Sequence, residues 1–278
     1  MITPMLEGEA FLADVAAARG ARGLHCWWLG QSGFLLQWQG NHLLCDPYLS
    51  DSLTRKYATT DKPHVRMTER VIAPERLDFI DVVTASHHHT DHLDPETLGP
   101  LCAANLRLAI VAPEASRHMA AGRAGVPAER IVGLDAGGSA KLGAITIHAV
   151  PAAHESVEHD AQGHCVFLGY VVQLGPWTVY HSGDTILYPG MVETLRQWRI
   201  DLALLPINGR GPERRVAGNL WGREAAHLAH EIGAGMAIPC HYEMFTFNTA
   251  TPEEFVTAAR GLRQPHRVLR AGERWSST

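Results

Sequence analysis

The stretch SHHHTDHLD at residues 86–94 limits what this chain can fold into more than any other feature of the sequence. It follows the β-branched run DVVTAS at 81–86, which predicts a buried strand. Asp94 and Pro95 have the residue types of a helix N-cap and a first helical position, so we predict that a helix begins there. Gly99 and Pro100 predict that this helix breaks or ends soon afterwards. The histidine-rich stretch is therefore expected in the turn between a buried strand and a helix.

The HxHxDH spacing within this turn indicates a metal site. At the end of a strand, alternate residues share one side, so His87 and His89 can converge on a single ion. The turn that follows brings Asp91 and His92 round to a second point close by. Imidazole nitrogens and a carboxylate suit Zn²⁺, Mn²⁺ or Fe²⁺. The alternative is a histidine-rich surface turn or an adventitious metal site.

Three further candidate ligands each stand just after a predicted strand. His154 follows the strand at 144–150, Asp184 follows 178–181, and His241 follows 236–239. In α/β sheets, functional sites collect at the ends of strands. Taken singly, each of these residues is more often a packed histidine or a turn residue. Their shared placement favours one site assembled from several strand ends.

The remaining pattern predicts an α/β fold in a single domain covering residues 1–278. Short strands at 24–29, 34–38 and 42–45 are separated by turns, which is typical of a β-meander, and the second half of the chain repeats this organisation. No linker or shift in composition divides the halves. We therefore expect two packed sheets with helices outside them. A Rossmann fold is disfavoured because no GxGxxG motif follows a strand.

Composition excludes several classes of function. The formal net charge is −5, from 24 basic and 29 acidic residues, which argues against nucleic acid as the partner. No apolar run reaches the roughly 18 residues that span a membrane, and the N-terminal segment lacks the pattern of a secretory signal. The five cysteines are scattered without a CxxC pair, so neither a disulfide framework nor a zinc ribbon is indicated. The expectation is a cytoplasmic protein with no nucleic-acid or membrane partner, and a homo-oligomer is left open.

The ordered set HxHxDH, His154, Asp184 and His241 resembles the metallo-β-lactamase superfamily, and Asp46 in LLCDPYL matches the first motif of that superfamily. The resemblance implies a four-layer αββα sandwich with two divalent metal ions, Zn²⁺ or Mn²⁺, at one edge. It implies that His87, His89 and His154 hold the first ion, that Asp91, His92 and His241 hold the second, that Asp184 bridges both, and that Asp46 orients the ligands.

Finer motifs, GQSGF at 30–34, DPYLSDS at 46–52, PHVRMTERV at 63–71 and LLPINGR at 204–210, resemble the branch that contains L-ascorbate-6-phosphate lactonase. The resemblance implies a hydrolase in which a hydroxide held between two ions attacks a small anionic ester, lactone or phosphodiester. Asp184 would set the metal separation, and a protonated Asp91 or a water would pass a proton to the leaving group.

The sequence also contains candidates for binding the substrate. Arg210, in a loop that follows a strand, suits a phosphate or carboxylate, as do Arg214 and Arg215 of the same loop. Asn208 and His64 are candidates from the resemblance alone. Two alternatives remain open: a phosphodiesterase similar to N-acylphosphatidylethanolamine phospholipase D, and a metal-binding scaffold without turnover.

Overall fold

The computed structural model of the protein describes residues 1–212 and 217–277. Its strands within these ranges are β1 (His25–Gly30), β2 (Gly33–Trp38), β3 (Asn41–Cys45), β4 (Val82–Thr84), β5 (Ala109–Pro113), β6 (Ile131–Leu134), β7 (Ser139–Leu142), β8 (Ile145–Pro151), β9 (Leu168–Leu174), β10 (Trp177–His181), β11 (Leu202–Pro206), β12 (Met236–Cys240) and β13 (Arg274–Ser276). Its α-helices are α1 (Gly8–Ala18), α2 (Ser52–Lys56), α3 (Pro95–Ala104), α4 (Arg117–Ala124), α5 (Met191–Leu195), α6 (Gly222–Glu231) and α7 (Glu253–Leu262). No helix of the described ranges is both long enough and apolar enough to cross a membrane.

The strands of the described residues form two mixed sheets. The first has the order β13-β1-β2-β3-β4-β5-β6, and the second has the order β12-β11-β10-β9-β8-β7. Each sheet combines an antiparallel half with a parallel half: β3, β4, β5 and β6 run parallel in the first, and β10, β11 and β12 run parallel in the second. Parallel strands present their carboxyl ends at the same edge, so each sheet has one edge at which loops can assemble a site.

One apolar core includes residues from both sheets, among them Trp27, Leu36 and Val83 from the first and Val172 and Leu204 from the second. Every residue of β1 and β11 is buried, as expected for strands covered on both faces. Helix α4 packs against β5 and β6, and α6 packs against β11 and β12. These layers confirm the predicted αββα sandwich.

The strand, turn and helix around the histidine-rich stretch confirm the local prediction, with one correction. Helix α3 begins at Pro95, and the Asp94 carboxylate accepts a hydrogen bond from the Glu96 N–H at 3.4 Å. The predicted break at Gly99 and Pro100 is wrong, because α3 continues to Ala104. Pro100 removes one helical N–H, but burial of Leu98 and Leu101 against the core outweighs that loss.

Candidate metal centre

The turn between β4 and α3 carries the first four candidate ligands. The Leu93 N–H donates to the His89 carbonyl at 2.9 Å, and the His92 N–H donates to the same carbonyl at 3.1 Å. This tight turn lies between His89 and His92, so all four candidate ligands come from one short segment of the chain. The imidazole centroids of His87 and His89 lie 4.6 Å apart.

The second sheet supplies the other three residues, each from the end of a strand. His154 follows β8, Asp184 follows β10, and His241 comes directly after β12. The Asp184 Oδ2 atom lies 3.3 Å from His92 Nε2, 3.6 Å from His154 Nε2 and 3.4 Å from His241 Nε2. One buried carboxylate oxygen is therefore close to imidazoles that come from both sheets.

The donor atoms form two groups around this carboxylate. His87, His89 and His154 make one group, and Asp91, His92 and His241 make the other, with the ligand atoms of each group all within 4.8 Å of one another. The structure thus brings together all seven residues selected from the sequence, in the two sets that the resemblance implied. Their assignment as ligands stays a prediction.

Unpaired buried atoms show that this cluster fits a metal. His87 Nε2, His92 Nε2 and Asp184 Oδ1 are buried and form no hydrogen bond within the described part of the chain. Leaving a buried polar atom unpaired costs about 1–3 kcal/mol, so several at one point call for a bound partner. A donor set of imidazole nitrogens and carboxylate oxygens suits Zn²⁺ or Mn²⁺.

Asp46 orients the histidine-rich turn from beneath. The side chain is fully buried at the end of β3, and its Oδ1 accepts the Ser86 N–H at 2.8 Å. Its Oδ2 accepts a hydrogen bond from the Ser86 hydroxyl and lies 2.6 Å from His92 Nδ1. A proton on Nδ1 leaves the His92 Nε2 lone pair free, so this contact selects the tautomer that a metal requires. The close approach of Asp46, His87 and His92 is explained by these hydrogen bonds.

His154 is held in a similar way by a main-chain acceptor. Its Nδ1 lies 2.7 Å from the Gly218 carbonyl, which can only accept, so the proton resides on Nδ1 and Nε2 is the free nitrogen. His154 Nε2 is also the atom near Asp184. The ring orientation is therefore fixed before any ion binds.

The imidazoles and carboxylates of the site shift each other's pKa values. Burial lowers the pKa of His89 to about 4 and that of His87 well below its ordinary value. Burial alone would also lower the pKa of His92, but the Asp184 and Asp91 carboxylates raise it well above the usual range. Burial would raise the pKa of Asp184, and the His92 and His241 imidazoles outweigh it and hold that pKa low.

Asp91 is held as a carboxylate by its surroundings. Burial favours its neutral form, but the His92 imidazole outweighs that effect and lowers the pKa of Asp91. The Gln31 Nε2 atom donates to Asp91 Oδ2 at 2.8 Å and lies 3.1 Å from His241 Nε2. These contacts favour an ionised Asp91, and the transfer of a proton to the leaving group by Asp91 or a water stays a prediction.

Gln31 and Ser86 are functional candidates that sequence reasoning did not assign. Gln31 sits in the turn between β1 and β2 with a φ of 50°, where a non-glycine residue is uncommon. The GQSGF motif was the available signal, but it gave no role to the amide. Ser86 precedes the histidine stretch and is bonded to Asp46 through both its N–H and its hydroxyl.

A cavity of about 380 Å³ opens over the two donor groups. Five of the candidate ligands line it, namely His89, Asp91, His154, Asp184 and His241. The rest of its described lining is Leu53, Lys56, Tyr57, Lys62, His64, His88, Thr90, Arg123, Ala217 and Asn248. The lining of this cavity therefore includes both candidate metal ligands and basic side chains.

The predicted substrate residues occupy different places. His64 lines the cavity, with its ring stacked on Tyr57 at 4.4 Å. Arg210 lines a separate surface depression, and its guanidinium donates to both carboxylate oxygens of Glu224, at 2.6 and 2.7 Å. Asn208 is fully buried and donates to the Asn248 side chain at 2.9 Å. Arg214 and Arg215 lie outside the described residues.

Comparison with known proteins identifies the family. The sequence model of the beta-lactamase superfamily domain matches residues 41–242, a range that includes every candidate ligand. The chain belongs to the metallo-β-lactamase superfamily. Within it, the chain is 31% identical to a UPF0173 metal-dependent hydrolase of Opitutus terrae, over 88% of this chain and 96% of the relative. It is also 31% identical to a UPF0173 metal-dependent hydrolase of Methanoregula boonei, over 84% and 89%. It therefore belongs to the UPF0173 metal-dependent hydrolase family.

Solved structures share the fold of this superfamily member. Igni18, a metallo hydrolase from Ignicoccus hospitalis, superposes with a TM-score of 0.67 at 22% identity, covering 92% of this chain and 98% of that one. The metallo-beta-lactamase fold protein YhfI from Bacillus subtilis gives a TM-score of 0.64 at 18% identity, covering 92% and 100%. These likenesses confirm the α/β architecture with two mixed sheets.

Proposed function

We propose that this protein is a metal-dependent hydrolase that uses two divalent ions, Zn²⁺ or Mn²⁺, to cleave a small anionic ester, lactone or phosphodiester. The observation that carries the proposal is the placement of Asp184 Oδ2 within 3.6 Å of three imidazoles that belong to both donor groups. A carboxylate shared in this way suits a pair of neighbouring ions. The UPF0173 relatives, which are metal-dependent hydrolases by name, support the same reaction class.

The protein residues prepare the site for this chemistry. Divalent ions, when bound, would lower the pKa of water and polarise a carbonyl or phosphoryl oxygen. Asp46 and the Gly218 carbonyl fix the ring orientations of His92 and His154, so that both Nε2 atoms lie near Asp184. Gln31 holds the Asp91 carboxylate in place. The basic side chains of the cavity lining would position the anionic substrate.

Within this class we favour a lactone, most like that of a sugar-phosphate lactonase. The support is the resemblance of the GQSGF and DPYLSDS segments to the lactonase branch. Tyr48, in the second of these segments, packs with Leu53 and Phe245 beside the cavity wall. A phosphodiester is the competing substrate, and the same assay separates the two.

The experiment measures bound metal and hydrolysis together. Protein loaded with Zn²⁺ or Mn²⁺ is analysed by mass spectrometry for metal content and assayed on a sugar-phosphate lactone and on bis(p-nitrophenyl) phosphate. Asp184→Ala and His89→Ala should bind less metal. Their activity should fall by at least about 100-fold, because the attacking water is no longer activated by bound metal. His118→Ala, a substitution on α4 away from the donor groups, is the matched control and should retain both.

Each outcome decides something specific. Full metal content with full activity in Asp184→Ala would overturn the proposed site. Metal binding by the natural protein without hydrolysis of either substrate class would favour the scaffold alternative. Preference for the diester over the lactone would replace the lactonase assignment with a phosphodiesterase.

A further inference from the structure

The cavity over the candidate metal centre has an uneven distribution of charge. The carboxylates in its described lining are Asp91 and Asp184, both of which belong to the proposed metal site. The other charged side chains there are cations, Lys56, Lys62 and Arg123. With the two carboxylates committed to metal, what remains to face a substrate is positive.

Arg123 is the best placed of these cations. It lies in the last turn of α4 and is half-buried. Its Nη1 donates to the His88 carbonyl, and to the Leu93 carbonyl at 3.0 Å. These two main-chain contacts hold the guanidinium beside the histidine-rich turn while leaving Nε and Nη2 without a hydrogen bond among the described residues. Burial lowers the pKa of Arg123, although arginine stays protonated in proteins.

No carboxylate of the described ranges forms an ion pair with this guanidinium, although the Asp94 carboxylate stabilises its charge at longer range. Two other arginines that could bind an anion are already paired. Arg117 on the same helix lies 3.4 Å from Glu114, and Arg210 is paired through both terminal nitrogens with Glu224. A guanidinium outside any ion pair can bind an anion without giving up a carboxylate partner. Its planar fork matches the two oxygens of a carboxylate or phosphate.

Lys56 extends the same positive surface from another element. It is the last residue of α2, and its ammonium lies 5.2 Å from the centroid of the Tyr57 ring. Its neighbour Arg55 is paired with Glu96, whereas Lys56 has no carboxylate partner in the described structure. Lys56 is exposed, so its contribution is smaller and more easily screened than that of Arg123.

We propose that Arg123, assisted by Lys56, binds the anionic group of the substrate beside the metal centre and so determines specificity for a charged substrate. This inference rests on the proposed function, since it concerns the same cavity. It gives the anion-binding role to a residue that the sequence analysis did not select. Arg210 is less suited to that role because an incoming anion would have to displace Glu224.

The test uses inorganic phosphate as the probe and the metal-loaded full-length protein. Titration calorimetry compares the natural protein with Arg123→Met, Arg123→Lys and Lys56→Met. Arg117→Met, on the same helix but outside the cavity lining, is the matched control. Loss of a charge-assisted contact should weaken phosphate binding by about tenfold or more in Arg123→Met and less in Lys56→Met. Arg123→Lys should recover part of the affinity, and Arg117→Met should stay within about twofold.

A second readout separates anion binding from positioning of the loop. Arg123 also contacts the His88 carbonyl, so metal content and the turnover of a neutral ester, p-nitrophenyl acetate, are measured in each variant. Unchanged metal content and neutral-ester turnover, with weaker phosphate binding, support the proposal. Unchanged phosphate affinity in Arg123→Met overturns the proposal. A fall in neutral-ester turnover by the same factor as the fall in phosphate affinity also overturns it. The phosphate titration needs no turnover, so it is decided independently of the hydrolase assignment.

Discussion

Asp46 acts on the candidate metal centre through its hydrogen bonds to Ser86 and His92. The carboxylate accepts hydrogen bonds from the N–H and hydroxyl of Ser86 and from His92 Nδ1. It therefore fixes both the path of the chain into the histidine-rich turn and the tautomer of one ring. Contacts of this kind tune metal affinity as strongly as some ligands do.

Substituting Asp46→Asn should weaken metal binding by about 10–100-fold, because an amide cannot accept all three hydrogen bonds as a carboxylate does. Competitive titration with a fluorescent chelator measures that affinity. Asp78→Asn is the control, since Asp78 is exposed and lies outside the donor groups. An affinity equal to that of the natural protein would contradict the orienting role of Asp46.

The burial of His42 predicts that the fold loses stability at acid pH. It is buried in β3, with its ring 4.8 Å from that of Phe79, and burial lowers its pKa from 6.5 to about 4. The unfolded chain takes up this proton near pH 6.5 and the folded chain only near pH 4. The contribution of His42 to the free energy of unfolding is therefore fully present above pH 6.5 and is lost as the pH falls towards 4. At pH 5 the loss is about 2 kcal/mol.

Urea unfolding at pH 7.5 and pH 5 measures this effect in the natural protein and in His42→Asn. The variant should lose about 2 kcal/mol less than the natural protein between the two pH values, because it lacks the titrating group. The difference between the two proteins removes contributions from the other histidines. Parallel pH profiles would show that His42 does not carry this part of the acid sensitivity.

At the scale of elements, the connection after β10 depends on the absence of a side chain. Gly183 has a φ of +60°, and a Cβ there would lie 2.6 Å from Ser86 Cβ and 2.8 Å from the Leu168 carbonyl oxygen. Ser86 and Gly183 each adjoin candidate ligands, His87 and Asp184. The close approach of these two loops is what lets ligands from the two sheets meet.

Gly183→Ala should therefore destabilise the protein and separate the ligands. Left-handed backbone costs an alanine about 1–2 kcal/mol, and the steric overlap adds about 1–3 kcal/mol. Gly143→Ala isolates the first effect, since Gly143 has a φ of +63° and a Cβ added there would meet no atom within 4 Å. Urea unfolding and metal content are measured for both. Equal losses of stability, with metal retained by both, would contradict the role assigned to the loop contact.

The elements near the site were predictable because their signals are local. The β-branched run before His87 and the Asp94 cap before Pro95 lie within one short segment. Strand β13 was not predicted, because it pairs with β1 across nearly the whole chain, with Arg274 opposite Trp27. Helix α1 and strands β6 and β7 were also missed, and their half-exposed residues give weak periodicity.

The residues around the ligands were harder to predict than the ligands themselves. Arg123 in its sequence is an ordinary helical arginine, and only the fold brings it beside the His88 carbonyl. Arg210 looked like an anion-binding residue until the structure placed Glu224 against it. Metal ligands follow from spacing and strand ends, whereas charge pairing depends on long-range contacts that a single sequence does not reveal.

At the scale of the whole molecule, the candidate metal centre joins the two sheets. His87, His89, Asp91 and His92 follow a strand of the first sheet, and His154, Asp184 and His241 follow strands of the second. Only the folded sandwich brings these two groups together, so the unfolded chain would offer a bound ion fewer of its ligands. Binding that favours the folded state over the unfolded chain raises the free energy of unfolding by mass action.

Metal removal should therefore lower the melting temperature of the whole sandwich. At a free metal concentration of about 100 times Kd, linkage adds about 2.7 kcal/mol for one site, which corresponds to roughly 5–10 °C in a chain of this size. Differential scanning calorimetry of chelator-treated and reloaded protein measures the shift. Asp184→Ala removes the carboxylate that lies close to imidazoles from both sheets, so its melting temperature should respond much less to added metal. A full metal-dependent shift in that variant would mean that the stabilising ions bind elsewhere in the protein.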